Sequence, residues 1–385
     1  MIKHLINRMK QETVLSAAWL LALLSAFWVH PSADYLSYID IRTLGILWSM
    51  MVIMAGLKAH GFFARVGGWL LERAGSRRTL ILILVFLCFF FSMLITNDVA
   101  LLTFVPFAIS LLSEGENRRL IVPVVILQTL AANLGSMLTP IGNPQNLYLY
   151  GLSGMGMREF LGILLPYTLL TALLLLLACL FLGRQGGKSD RQQISCGREE
   201  DGKTASAGRD RTGRPVMVYG GLFLLTLLTV LRILPWYIPA ALILAAVLFM
   251  EKEILLRADY VLLATFIGFF IFTGNMGNIS AIADTLQQLV EGHETQLGIA
   301  VSQIISNVPA ALLLSGFTRD YRALIVGVNL GGLGTLIASM ASLISYKFVA
   351  AELPEAKGSY FRKFTLANLI YLVILIGMWV LMTEM

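Results

Sequence analysis

The stretch from Thr79 to Leu112 reads TLILILVFLCFFFSMLI, then Thr96-Asn97-Asp98, then VALLTFVPFAISLL: two apolar arms around a polar break. A second pair of arms, 297–305 and 309–317, surrounds Ser306-Asn307-Val308-Pro309. Working outward, apolar blocks lie at about 14–30, 39–57, 159–183, 215–233, 237–251, 259–275 and 363–382. Such blocks match the roughly 17–25 residues that cross a hydrocarbon core. A long block at 119–150 is interrupted by Thr139-Pro140-Ile141-Gly142-Asn143-Pro144, and 321–349 is its later counterpart. Amphipathic stretches fall near 61–74 and 278–292. With 57% hydrophobic and 14% charged residues the chain is far from the soluble norm of about 25% charged. It reads as an all-α polytopic membrane protein.

Whether each broken pair is a hairpin or a span is decided by charge. Cytoplasmic loops carry the excess of Lys and Arg. If both pairs enter and leave on one side, 24 of the 29 basic residues fall on one face. Only Arg42, Arg158, Arg232, Arg319 and Arg322 fall on the other. Counting either hairpin as a single span spoils this segregation. The expected topology is nine full spans plus two re-entrant hairpins, with the N-terminus cytoplasmic and Met385 external. The short basic start, Met1 to Lys10, precedes a retained first helix rather than a cleaved leader.

The halves then match in order. Asp40 leads one span as Asp259 leads another; Thr96-Asn97 answers Ser306-Asn307. Asn133-Leu134-Gly135 with Thr139 recurs as Asn329-Leu330-Gly331 with Thr335. Under the charge-based topology these copies run in opposite directions. The expected organisation is a first inverted repeat at 1–183, a flexible polar cytoplasmic linker at 184–214, and a second repeat at 215–385. Inverted repeats with interrupted helices in corresponding places point to a secondary transporter. Broken helices expose backbone groups, tolerated at membrane depth only inside protein or beside a watery cavity.

Other classes lose support. Cys88 and Cys179 lie in apolar blocks and Cys196 in the linker, with no metal-ligand spacing. The four histidines form no ligand pair. Gly187-Lys188-Ser189 lacks the Gly of a phosphate loop, because Leu182 stands five positions before Gly187. No nucleophile–base pair sits within the membrane blocks, so no enzyme is expected. A channel would repeat a filter sequence rather than invert a broken helix. The basic charge follows topology and implies no nucleic-acid partner.

Ile95-Thr96-Asn97-Asp98-Val99-Ala100-Leu101 followed by Pro140-Ile141-Gly142-Asn143-Pro144-Gln145-Asn146-Leu147 resembles the citrate-transporter-like branch of the ion transporter superfamily. That superfamily also includes arsenite permeases, divalent-anion/sodium symporters and some sodium/proton antiporters. The resemblance runs from about Tyr38 to Lys347. It implies a homodimer whose protomers split into a scaffold and a moving transport domain, working as an elevator in a bacterial-type inner (plasma) membrane. It also implies one half-site at Thr96, Asn97, Gly142 and Asn143, and a symmetry mate at Ser306, Asn307, Thr335 and Ser339. Symporters of dicarboxylates resemble Ser-Asn-Thr at both tips. Here the tips read Thr-Asn-Asp and Ser-Asn-Val, and the Asn-Asp pair is closer to the arsenite permeases.

Residue chemistry adds to this. Asn143, Gln145 and Asn146 place three amides on broken backbone, suited to oxyanions or hydroxyls; loop polarity is the alternative. Asn97 and Asn307 serve as ligands or as helix caps. Gln128 and Gln303 are candidate helix bridges. Asp98 is an ionisable group at membrane depth, a functional candidate by default, with Val308 as its uncharged mate. The expected cation site, for Na⁺, is Asn97, Asp98, Gly142 and Asn143, and no other cofactor is expected. The resulting expectation is an ion-coupled carrier of a small anion or oxyanion, coupled to Na⁺ or H⁺. The alternative is a Na⁺/H⁺ antiporter or an arsenite-type efflux permease.

Overall fold

A computed structural model describes residues 13–113, 115–184 and 213–384. The basic N-terminal stretch, Cys196 and nearly all of the 184–214 linker lie outside the described residues. Within them the chain is helical and holds no strand. Six helices are long and apolar enough to cross a membrane: Ile41–Ala59, Asn117–Ser136, Met157–Arg184, Gly213–Val230, Tyr260–Gly277 and Pro354–Thr383.

A framework is built from α1 (Thr13–Ser25), α2 (Ile41–Ala59), α9 (Gly213–Val230), α10 (Tyr237–Met250) and α11 (Tyr260–Gly277). Its helices start where the sequence supplies acceptors for unpaired N–H groups. Asp40 accepts from the Thr43 amide at 3.0 Å, and Asp259 accepts from the Leu262 amide at 3.0 Å. These are the two residues that lead matching spans. Helices α1 and α11 lie alongside each other in the same direction, fastened by Trp19 to the Ala264 carbonyl and by Asn275 to Ser25.

The second body holds the broken elements. Hairpin one is α4 (Arg77–Ser92) and α5 (Asn97–Leu112); hairpin two is α13 (Glu294–Ile305) and α14 (Asn307–Ser315). The long blocks divide into α6 (Ile121–Ser136) with α7 (Pro144–Ser153), and α15 (Tyr321–Leu330) with α16 (Met340–Glu352). Helices α8 (Met157–Arg184) and α17 (Lys357–Thr383) complete it. Two prolines bracket the first break: Pro140 lacks the N–H that would carry the ladder on to the Ser136 carbonyl, and Pro144 is preorganised to start α7. The amphipathic stretches form α3 (Phe62–Leu71) and α12 (Ser280–Val290), which link framework to bundle on each side.

The hairpins pack tightly onto their partner helices. A side chain at Gly298 would put Cβ 2.9 Å from the Gly327 backbone, so α13 and α15 nearly touch. Small residues at crossings permit that approach. Gln128 donates to the carbonyls of Leu84 and Phe104, and thereby ties α6 to both arms of hairpin one. Gln303 donates to the carbonyls of Gly331 and Leu333 in the second break. Both glutamines bridge helices, as expected.

Several contacts fasten helix ends to one another. His60 pairs with Glu251 at 3.1 Å, Arg78 donates to the Gly183 carbonyl, and Arg118 pairs with Glu355. Arg232 donates to the carbonyls of Gly154 and Tyr150, both at 2.8 Å, and Arg322 pairs with Glu159. Each of these contacts joins helix ends that the charge count assigns to the same side.

Candidate functional site

Two tips and two helix breaks converge, and the same hydrogen bonds recur in each half. The Asn97 amide donates to the Gly142 carbonyl at 3.1 Å; the Asn307 amide donates to the Ala338 carbonyl at 3.0 Å. The Thr139 hydroxyl donates to the Met93 carbonyl and accepts from the Gly142 amide at 3.1 Å. The Thr335 hydroxyl donates to the Gln303 carbonyl at 3.4 Å and accepts from the Ala338 amide at 3.2 Å. Each break is thus held to the tip of its own hairpin. The unpaired backbone groups of the interruption find partners there rather than in lipid.

Across the halves the contacts are reciprocal. Asn143 of the first break donates to Asn329 at 3.4 Å. Ser339 of the second break donates to Asn133 at 3.1 Å. Asn133 also accepts from the Asn97 side chain at 3.1 Å and donates to Ser342. Asn329 donates to Asn146 at 2.6 Å, and Asn146 donates to the Met137 carbonyl. Asn133, Asn329, Ser136 and Ser342 were not among the sequence-based site residues. A lone Asn in an otherwise apolar block is the one sequence signal for Asn133 and Asn329, and it marks the repeat without revealing a partner.

Of the two roles open to Asn97 and Asn307, ligand or helix cap, the cap falls to their neighbours. The N-caps are Thr96, whose hydroxyl accepts from the Val99 amide, and Ser306. Asn97 lies one position inside α5, which frees its amide for Asn133. Ser306 has φ 75° and ψ 155°, backbone space that is almost glycine-only and costs about 1–3 kcal/mol. Ser306→Gly is therefore expected to raise the thermal midpoint of the purified protein. An unchanged or lower midpoint would show that the hydroxyl contacts of Ser306 outweigh the strain.

A cavity of about 520 Å³ lies between the framework and hairpin one. Thr96, Asp98 and Asn143 line it beside Met50, Met51, Met54 and Leu102, and Lys58, Arg257 and Asp259 also border it. Asp98 Oδ1 is fully buried and has no hydrogen-bond partner among the described residues. Unpaired buried polar atoms are rare in folded chains and call for a ligand, ion or water. Gln145 is 1% exposed, and neither end of its amide finds a partner among the described residues.

The expected site residues therefore divide. Thr96, Asp98 and Asn143 reach the cavity. Asn97, Asn146 and Ser339 belong to the amide network behind it, and the Gly142 carbonyl receives the Asn97 amide. Ser306, Asn307 and Thr335 do not line this cavity; Thr335 is exposed and fastens the second break. The cavity contributions of α2 carried no sequence signal, because three methionines in a span read as packing.

The sequence pattern of the family described as Citrate transporter matches residues 5–320. The chain is 30% identical over 332 residues to the inner membrane protein YbiR of Escherichia coli, covering 84% of each. It is 30% identical over 313 residues to an uncharacterized transporter of Methanocaldococcus jannaschii, covering 80% of this chain and 81% of that protein. A silicon efflux transporter of Oryza sativa subsp. japonica is 30% identical over 180 residues, 46% of this chain and 37% of the relative.

Proposed function

The chain belongs to the citrate transporter family, a family of multi-pass membrane transporters and not of enzymes, and from that premise we propose that it is a secondary active carrier. Its substrate is a small anion or oxyanion, and its driving ion is Na⁺ or H⁺. One observation carries the reading: Asp98, which keeps one carboxylate oxygen buried and without a partner among the described residues, lines the same cavity as Asn143 and Thr96.

The electrostatics then dictate coupling. An ionised Asp98 repels an anion in its cavity, and no Lys or Arg lies at the tip to offset it. A proton on the carboxylate, or Na⁺ held by Asp98 with Asn97, Asn143 and the Gly142 carbonyl, removes that repulsion. The positive ends of α5 and α7 and the Asn143 amide then favour the anion. Lys58 and Arg257 raise the local concentration of anions at the cavity. Gln145, Asn146, Ser306, Asn307, Thr335 and Ser339 complete the proposed substrate machinery.

The recurring hydrogen bonds and the reciprocal contacts across the halves support an inverted repeat, 1–183 against 215–385 with the linker between. Reciprocity of this kind is the mark of two-fold symmetry. An elevator motion of the bundle against the framework follows from that division, with α3 and α12 as connecting arms and a homodimer as the working unit. The basic face is cytoplasmic in a bacterial-type inner membrane. In a Cys196→Ser background, Gly208→Cys is expected to resist an impermeant thiol reagent in intact cells and react after permeabilisation. Labelling of intact cells would reverse the topology.

A second reading is an antiporter or an arsenite-type efflux carrier of a neutral hydroxylated solute. The lack of a Lys or Arg in either hairpin-tip sequence, Thr96-Asn97-Asp98 or Ser306-Asn307-Val308, favours it, as does the silicon efflux relative. Purified protein in liposomes separates the two. Imposed Na⁺ or pH gradients should drive uptake of labelled citrate, phosphate or sulfate. Na⁺/H⁺ exchange or arsenite flux without any anion uptake would establish the second reading instead.

A further inference from the structure

We propose that the groove between α3 and the start of α9 binds one anionic phospholipid, with Arg65 on the headgroup phosphate and Trp69 and Val216 along the acyl chains. The groove has a volume of about 480 Å³ and is lined by Phe62, Arg65, Val66, Trp69, Gly213 and Val216. Its walls are aliphatic and aromatic apart from one guanidinium, so it offers a tail surface and a single charge. A free phosphate would leave that apolar wall uncovered.

The local chemistry is prepared for this occupant. Arg73 lies 3.7 Å over the Trp69 ring and donates to the Trp69 carbonyl at 2.8 Å, which holds the indole in place while 54% of Trp69 stays exposed. Arg65 donates to the His60 carbonyl at 3.2 Å, engaging one of the several N–H donors on an exposed side chain. Arg214 is exposed next to Gly213. From Lys58 to Arg78 the chain carries five basic residues against Glu72 alone. Phe62, Arg65, Val66 and Trp69 recur at i, i+3, i+4 and i+7, so the guanidinium and the aromatic rings share one side of α3, and basic side chains beside apolar surface at a membrane interface favour anionic lipid.

The opposite arm provides an internal contrast. From Met276 to Leu297 there is no Lys or Arg, while Asp284, Glu291 and Glu294 are present. The two arms share their place in the fold and differ in charge, so lipid selectivity belongs to α3 and not to α12. The inference rests on the chain being a membrane protein and is independent of what it transports. Because α3 joins the framework to the bundle, a bound lipid ties that arm to α9.

Native mass spectrometry of the purified full chain tests it, with phosphatidylglycerol and phosphatidylcholine titrated separately. One phosphatidylglycerol per chain should be retained in preference to phosphatidylcholine. Arg65→Gln should weaken retention about fivefold, the effect of one basic side chain near an anionic surface. Arg65→Lys should keep most of it, and Arg362→Gln, an exposed charge outside the groove, should leave it unchanged. Equal retention of both lipids would overturn the proposal, as would an equal loss in Arg362→Gln. Displacement by inorganic phosphate would identify a soluble-anion site, and equal loss in Arg65→Lys and Arg65→Gln a packing role; either result also overturns it.

Discussion

Transport by the Asp98→Asn protein is expected to lose its dependence on a Na⁺ or proton gradient while substrate binding partly survives. The substitution keeps the side-chain size and removes only the charge. A charged residue at the bilayer centre costs about 2.5–3.5 kcal/mol on insertion scales, so an ionisable group there needs a compensating role. Helix capping does not supply one, because the α5 cap is Thr96. Asp98 instead lines the cavity and keeps one carboxylate oxygen buried without a partner among the described residues. Removing one member of a buried ion pair costs about 3–5 kcal/mol, so cation affinity should fall by at least about a hundredfold. The corresponding position in the second hairpin is Val308, buried at 5% exposure, so one coupling event per protomer is expected. Flux measured in liposomes under imposed Na⁺ and pH gradients decides the matter. Normal flux with an unchanged dependence on both ions would end the coupling role of Asp98.

Gly142→Ala is expected to abolish transport and to destabilise the bundle. An added Cβ would lie 2.1 Å from the Ser136 carbonyl oxygen and 2.8 Å from the Ser136 Cα. These are backbone atoms of the preceding helix end and cannot turn aside as a long side chain does. Relief requires moving the break itself, which carries the carbonyl that receives the Asn97 amide and the cavity-lining Asn143. Overpacking typically costs about 1–3 kcal/mol before any such rearrangement. Gly162→Ala provides the control, since nothing lies within 4 Å of its added Cβ. The thermal midpoint and liposome flux of both variants should separate, with Gly162→Ala at or above the parent. Parent-like flux in Gly142→Ala would show that the break tolerates displacement and does not set the site.

Much of the architecture was legible along the chain. The arms around Thr96-Asn97-Asp98 and Ser306-Asn307 became hairpins, and Asp40 and Asp259 became caps. Pro144 began the second half of a broken helix. Each of these follows from interactions within a few residues: an apolar block needs a helix, an acidic side chain satisfies nearby amides, and proline ends a hydrogen-bond ladder.

The site was legible only in part. Asn97 and Asn143 stood out as polar residues in breaks, but their partners did not. Asn133 meets Ser339, and Asn143 meets Asn329, because two distant halves pack against each other. The cavity needed α2 and α11 opposite hairpin one before Met50 or Asp259 acquired any bearing on Asp98. The sequence by itself determined which segments are helical, where they break and which ends are basic, because those are local properties of composition and backbone chemistry. The tertiary structure alone decided which amides are spent on one another and which carboxylate oxygen is left unpaired. A polar group's availability depends on what packs across from it, and for this chain that neighbour comes from the other half.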